Sequence, residues 1–309
     1  MRAHPGFVQA CVAALCFATA PVLTRGASDL PAVSIVSARL ALAGCLILVL
    51  AALRRERLRL DRGRVMALAG VGLVTAAHFY LFAWAVLHTA AASALILVNL
   101  APVFAALGAA AFLGERLSSR AYLPLGVTVA GTGLLAWGLH GLGQASVAGD
   151  LAALLSGVTY AAYALLARGL RQRFNPFTYA AGVYLAAALW LAPFALAAGA
   201  PVTPQAAVAV GLLAVIPTAI GHTAYQASLR LLPVTQASLI ATQEVTGGAL
   251  LVALVYGEAP PPVAIAGACI ALGGLAWFIT VSALGSGSGQ RPGLRKVGNA
   301  DGAPGAGTS

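Results

Sequence analysis

The chain has 309 residues, 60% of them hydrophobic and only 8% charged, with a formal net charge of +10. About a quarter of an ordinary soluble domain is charged, so this composition excludes a soluble globular protein. The positive balance does not indicate nucleic acid either, because the arginines stand between apolar runs and do not form one basic face.

The first apolar run, after a start of MRAHPG, contains the small-x-small triplet Ala18-Thr19-Ala20 and so resembles a secretory signal. Pro21 directly after that triplet blocks cleavage, and the segment is expected to stay as the first membrane helix. About 20 apolar residues cross a hydrocarbon core as a helix. Ten such spans are expected, over residues 7–24, 32–53, 65–86, 91–113, 121–140, 149–167, 177–198, 206–229, 234–256 and 262–284. Arg54, Arg55, Arg57, Arg59, Arg62 and Arg64 fall between spans 2 and 3, and Arg116 and Arg120 between 4 and 5. Arg168, Arg171 and Arg173 fall between 6 and 7, and Arg230 between 8 and 9. Arg2, Arg291, Arg295 and Lys296 flank the bundle on the same side, against Arg25 alone on the other. The positive-inside rule then places both termini in the cytoplasm of a cell whose inner (plasma) membrane holds the protein. Residues 285–309 are Gly, Ser and Pro rich and are expected to form a disordered cytoplasmic tail. Cys11, Cys16, Cys45 and Cys269 lie within the apolar runs and read as small buried residues, without the spacing of a zinc site or a disulfide framework. No metal or other cofactor is expected.

The chain repeats itself. AASALILVNLAPVFAALGAAAFLGERL around span 4 answers to TQASLIATQEVTGGALLVALVYGEAPP around span 9, and Gly114-Glu115 stands 143 residues before Gly257-Glu258 (257 minus 114). The same offset relates Arg25-Gly26 to Arg168-Gly169, and GLLAW at 133–137 matches GGLAW at 273–277. The chain is thus read as an all-α integral membrane protein of two five-helix repeats, residues 7–140 and 149–284. Five is odd, so the second repeat is inverted in the membrane, an architecture common among secondary transporters.

These residues resemble the drug/metabolite transporter superfamily, in particular its EamA-type members with two five-helix repeats. The likeness rests on Leu100-Ala-Pro-Val-Phe104, on Gly114-Glu115-Arg116-Leu117, and on Gly257-Glu258 closing span 9. Pro31 with Arg39, and the Gly-rich spans 5 and 10, support it. The resemblance implies transport of small metabolites, often export, without ATP. The chain departs from it where such proteins carry Glu-Pro-Val and this one has Glu244-Val245-Thr246. The proline that would break span 9 is missing, and Gly247-Gly248 is expected to supply the flexibility in its place.

Two charged side chains lie well inside the spans. Glu244 is roughly 15 Å from the end of span 9 and Arg39 roughly 10–12 Å from the end of span 2, depths that permit a pair. An ionised group there costs about 2.5–3.5 kcal/mol or more and marks a functional candidate. As a functional residue, Glu244 is either the counter-charge to an amine or a proton site; as a structural one it is part of an ion pair or bonded to a backbone carbonyl. His78 and His222 occupy nearly corresponding places and are expected to line opposite halves of a path, or else to be packing partners. Asn99 lies one turn before Pro102, whose ring frees a helix carbonyl, and Gln243 adjoins Glu244. Tyr80, Trp84, Tyr160 and Tyr163 are candidates for aromatic walls or for packing. Glu115 and Glu258 read as helix-end anchors. The glycines of spans 5 and 10 permit close helix contact, within the fold or in a homodimer.

An intramembrane enzyme would need paired aspartates, a His-Glu-x-x-His motif or a serine with its base, and an ATP-driven pump would need a phosphate-binding loop. The sequence contains none of these. The expected function is secondary transport of a small solute by alternating access around spans 3, 4, 8 and 9, with Glu244 central and protons as a candidate coupling ion. A single buried arginine argues against strongly anionic cargo and favours neutral, zwitterionic or cationic solutes such as amino acids or amines. A lipid-head-group flippase would share this architecture.

Overall fold

The computed structural model describes residues 4–56, 61–89, 94, 97–114, 117–138, 146–170, 174–248, 251 and 261–286. These form helices at all ten expected places. They are α1 Pro5–Arg25 and α4 Ala101–Leu113, α2 Ala32–Leu53, α3 Arg62–His88, α5 Tyr122–Gly138 and α6 Val147–Leu170. The rest are α7 Pro176–Ala198, α8 Pro204–Ser228, α9 Val234–Ala241 resuming over 244–248, and α10 Pro262–Ser286. Seven are long and apolar enough to cross a membrane unaided. The other three, α4, α5 and α9, are shorter because their expected spans run partly into residues outside the described set. Gly285 and Ser286, expected in the tail, instead close α10; residues 287–309 lie outside the described residues, as do Glu115, Gly257 and Glu258.

Local chemistry sets the helix ends. Proline opens α1, α7, α8 and α10, where its missing N–H costs nothing. Asp61 caps α3 by accepting from the Arg64 amide, and Thr203 caps α8 through the Ala206 amide. Gly114 and Gly199 end α4 and α7 in the left-handed region, at φ 67° and 57°.

Helix contacts follow a two-fold pattern. If each helix of the first half exchanges with the helix five places on, α2–α7, α4–α9 and α5–α10 become self-partnered pairs, and all three pairs are in contact. Most of the remaining contacts come in exchanged sets: α1–α8 with α3–α6, α1–α9 with α4–α6, α2–α8 with α3–α7, α2–α3 with α7–α8, and α1–α3 with α6–α8. This is the packing of two like units related by a pseudo-two-fold axis. The α5–α10 pair is a backbone contact: a Cβ at Gly131 would fall onto the Ala271 amide and one at Gly267 onto the Leu135 amide. Gly126, Gly133 and Gly273 meet nothing within 4 Å. Cys45 and Cys269 face out of the bundle, a correction to their expected burial, because they sit on the lipid-facing sides of α2 and α10. All four thiols are free.

The glycine geometry predicts a contrast. Gly131→Val should destabilise the detergent-solubilised protein by about 1–3 kcal/mol through overpacking, read as a lowered Tm, whereas Gly133→Val should leave Tm nearly unchanged.

Candidate functional site

Three helices are interrupted near mid-depth. α1 turns at 18–19, α4 at 99–100, and α9 at 242–243. The last two stand 143 residues apart, the offset of the repeat (242 minus 99). The break in α9 therefore precedes Glu244, and Gly247-Gly248 lies in the helical stretch beyond it. Those glycines have another use: a Cβ on Gly247 would be 3.1 Å from the Ala18 Cβ, so they let α9 approach the interruption in α1. Pro102 stands at the start of the α4 helix that follows its own break. A proline there lacks only an amide that has no helical partner.

Around these breaks lies a cavity of about 550 Å³, counting the space open at its mouth. Arg39, His78, Asn99, His222 and Glu244 all line it, so five of the polar residues singled out in the sequence converge on one place. Its walls come from α1, α2 and α6 as well as from α3, α4, α8 and α9, with Phe17, Phe79, Phe82 and Tyr160 supplying aromatic surface. Gln243, Tyr80 and Tyr163 are not among the lining residues. Gln243 instead bonds to its neighbours Thr242 and Thr246. Tyr80 packs at the edge of the core, and Tyr163 is fully buried against Gln226.

Arg39 and Glu244 do not pair. The Glu244 Oε1 accepts from Asn99 Nδ2 at 3.4 Å, across the two interrupted helices. Arg39 donates from Nε and Nη2 to Thr218 Oγ1, at 3.1 and 2.9 Å, and its guanidinium lies 4.6 Å from the Phe79 ring centroid. The Thr218 hydroxyl is itself oriented by the backbone. Pro217 lacks the amide that the Leu213 carbonyl would normally receive in an α-helix. α8 widens into a π-helical stretch over Ala214–His222, and Thr218 Oγ1 donates to Leu213 O at 2.7 Å. With its proton committed there, the oxygen presents only lone pairs to Arg39. The cation is thus 2% exposed with one neutral acceptor, and its Nη1 has no protein hydrogen bond among the described residues.

The histidines meet in the same cavity, with ring centroids 6.1 Å apart, and do not divide between two halves of a path. His78 Nδ1 is pinned by Ser156, 3.1 Å from its carbonyl and 3.0 Å from its hydroxyl. His222 packs between Phe17 and Phe79, and its buried Nδ1 has no hydrogen-bond partner.

The packing on the two sides of the site differs. Toward the face where α2 ends and α7 begins lie Tyr163, Tyr179, Tyr184, Tyr225 and Phe174, part of one large core cluster. The rings of Tyr160 and Tyr225 stack there at 5.2 Å, and Tyr225 bonds Ser238 across α8 and α9 at 2.8 Å. Toward the other face the cluster is almost wholly aliphatic, with Phe82 its aromatic member. Sequence reasoning missed Thr218 and Gln226. The signal for Thr218 was its place directly after an intrahelical proline; Gln226, one turn beyond His222, was a second buried amide on the same face.

The arrangement predicts that Thr218→Val removes the acceptor of a buried cation together with the hydroxyl's own bond to the Leu213 carbonyl. Stability should fall by about 1.5–3 kcal/mol, seen as a lowered Tm, and Thr218→Ser should restore it.

Three comparisons bear on the chain. Residues 4–137 and 147–280 each match the EamA-like transporter family. A protein of Streptantibioticus cattleyicolor named as a probable terminal-alkyne amino-acid exporter is 30% identical over 72% of this chain and 74% of its own. The pseudopaline exporter CntI of Pseudomonas aeruginosa is 35% identical over 41% of this chain and 44% of its own. A solved crystal structure superposes with a TM-score of 0.76 over 92% of this chain and 99% of that one, at 22% identity, which establishes a shared fold. With two family matches laid end to end over a helical, pseudo-symmetric membrane fold, the chain belongs to the EamA-like transporter family of the drug/metabolite transporter superfamily.

Proposed function

We propose that the protein exports a small zwitterion of amino-acid type by alternating access, with Glu244 receiving its ammonium group and Arg39 its carboxylate. One observation carries this reading. An acid and a base line the same cavity at mid-depth, each held by a neutral neighbour and neither neutralising the other. In that setting a ligand with both charges compensates both residues at once, whereas a strongly anionic or purely cationic one leaves a buried charge unmatched. Asn99 and the phenyl rings of Phe17 and Phe82 complete a pocket that offers both polar and apolar surface. The relative named as an amino-acid exporter supports the same cargo class and direction.

The two repeats, 7–140 and 149–284, are the bodies that rock. Their interruptions at 99–100 and 242–243 sit at the cavity, so the moving joints and the ligand contacts coincide. The arginine distribution supports cytoplasmic termini, and the tyrosines of the core cluster then lie on the cytoplasmic side of the site. Export requires that cluster to part and the aliphatic layer to close behind the solute.

Proteoliposome flux tests the reading, screening amino acids (a terminal-alkyne amino acid among them), organic amines and phospholipid analogues, with Glu244→Gln beside the wild type. Amino-acid flux should fall about 30-fold or more in the variant, the effect of losing a buried charge contact worth about 2 kcal/mol, with the variant's Tm retained. Flux indifferent to the change in a folded variant would contradict the role of Glu244, and movement of phospholipid analogues alone would favour a flippase.

A further inference from the structure

A second concavity lies outside the bundle, between α2, α3 and α7. It spans about 1220 Å³, open space at its mouth included, and is lined almost wholly by apolar side chains, among them Leu48, Leu68, Leu185, Leu189 and Trp190. Small residues make its floor: Ala69 on α3 and Ala181, Gly182 and Ala186 on α7. From Thr178 to Trp190 it follows α7 for twelve residues, about 18 Å at 1.5 Å each. That is close to the depth of one leaflet, half of a hydrocarbon core of about 30 Å. Trp190 stands at the deep end along α7 and is fixed there, its Nε1 donating to the Ala69 carbonyl at 3.0 Å.

The mouth has the opposite chemistry. Arg54 and Arg55 follow directly on α2, and Arg62 and Arg64 open α3 just before Val65, which lines the groove. The Arg54 guanidinium lies 4.6 Å over the ring of Phe177, the neighbour of Thr178 in the groove wall. The two nearby carboxylates are engaged, Asp61 with Arg64 and Glu56 as acceptor from the Thr178 hydroxyl. Arg54, Arg55 and Arg62 are exposed, with no carboxylate in ion-pair distance among the described residues.

We propose that this groove binds one acyl chain of an anionic phospholipid, whose phosphate rests among Arg54, Arg55 and Arg62. Length, apolar lining and a cationic rim at the membrane surface are the three features such a ligand requires, and the groove combines them. The site is separate from the central cavity, and its occupancy does not depend on which solute the protein carries.

The test is fluorescence quenching by phospholipids brominated on the acyl chain, in nanodiscs of unbrominated neutral lipid. Trp84, Trp137 and Trp277 are common to the wild type and Trp190→Phe, so the difference between the two isolates Trp190. Brominated phosphatidylglycerol should quench Trp190 saturably, and at a several-fold lower mole fraction than brominated phosphatidylcholine. The double variant Arg54→Gln/Arg62→Gln should bring the two lipids level, and Ala69→Phe should abolish the saturable component. Equal quenching by both head groups in the wild type would overturn the proposal, leaving ordinary contact with bulk lipid. Absence of Trp190 quenching would also overturn it, and with a dimeric mass would assign the groove to a second copy of the chain.

Discussion

A carboxylate and a guanidinium held in the middle of a membrane without touching one another constrain everything around them. Each would be cheaper if paired with the other, and each is instead kept apart by a dedicated neutral partner, Asn99 for Glu244 and Thr218 for Arg39. Keeping them apart requires two irregular backbones: α9 is interrupted just before Glu244, and α8 is widened at Pro217 so that Thr218 can serve both the Leu213 carbonyl and the arginine. Such backbone is tolerated at membrane depth where it is enclosed by protein or lines a cavity.

The duplicated architecture provides that enclosure. Because α4 and α9 are self-partnered across the pseudo-two-fold axis, their interruptions face one another and bring Asn99 to Glu244. The α5–α10 pair is fused along its glycines, and close approach recurs at the cavity, where a Cβ on Gly157 of α6 would lie 3.0 Å from the Val98 carbonyl oxygen and one on Gly247 of α9 3.1 Å from the Ala18 Cβ. The packing beside the cavity differs between its two ends, with buried tyrosines toward one and almost wholly aliphatic residues toward the other. A protein that alternates between two states needs such layers to have similar energies, whatever their composition.

Much of this was legible in the sequence because it is written in patterns that a membrane enforces. Spans, repeat and the polar minority are all visible as departures from apolarity, and His78, Asn99, His222, Arg39 and Glu244 all reach the cavity. What was hidden depended on where helices turn. Gly247-Gly248 reads as a break, yet the chain turns at Thr242-Gln243 and uses the glycines for close approach to α1. The histidines look mirror-related along the sequence, but their rings meet in one cavity. Depth alone left an Arg39–Glu244 pair open, and only the side-chain geometry shows Thr218 standing in the place of the acid.

The central claim is that both charges contact one solute. It is tested most directly by the thermal stabilisation of the purified protein with three ligands sharing one short aliphatic side chain: the amino acid, its amide, which lacks the carboxylate, and its deaminated acid, which lacks the amine. The account predicts a saturable rise in Tm with the amino acid and little with either analogue, and loss of that rise in Glu244→Gln. An amide that stabilises as well as the amino acid would contradict it, because Arg39 would then serve the fold and not the ligand.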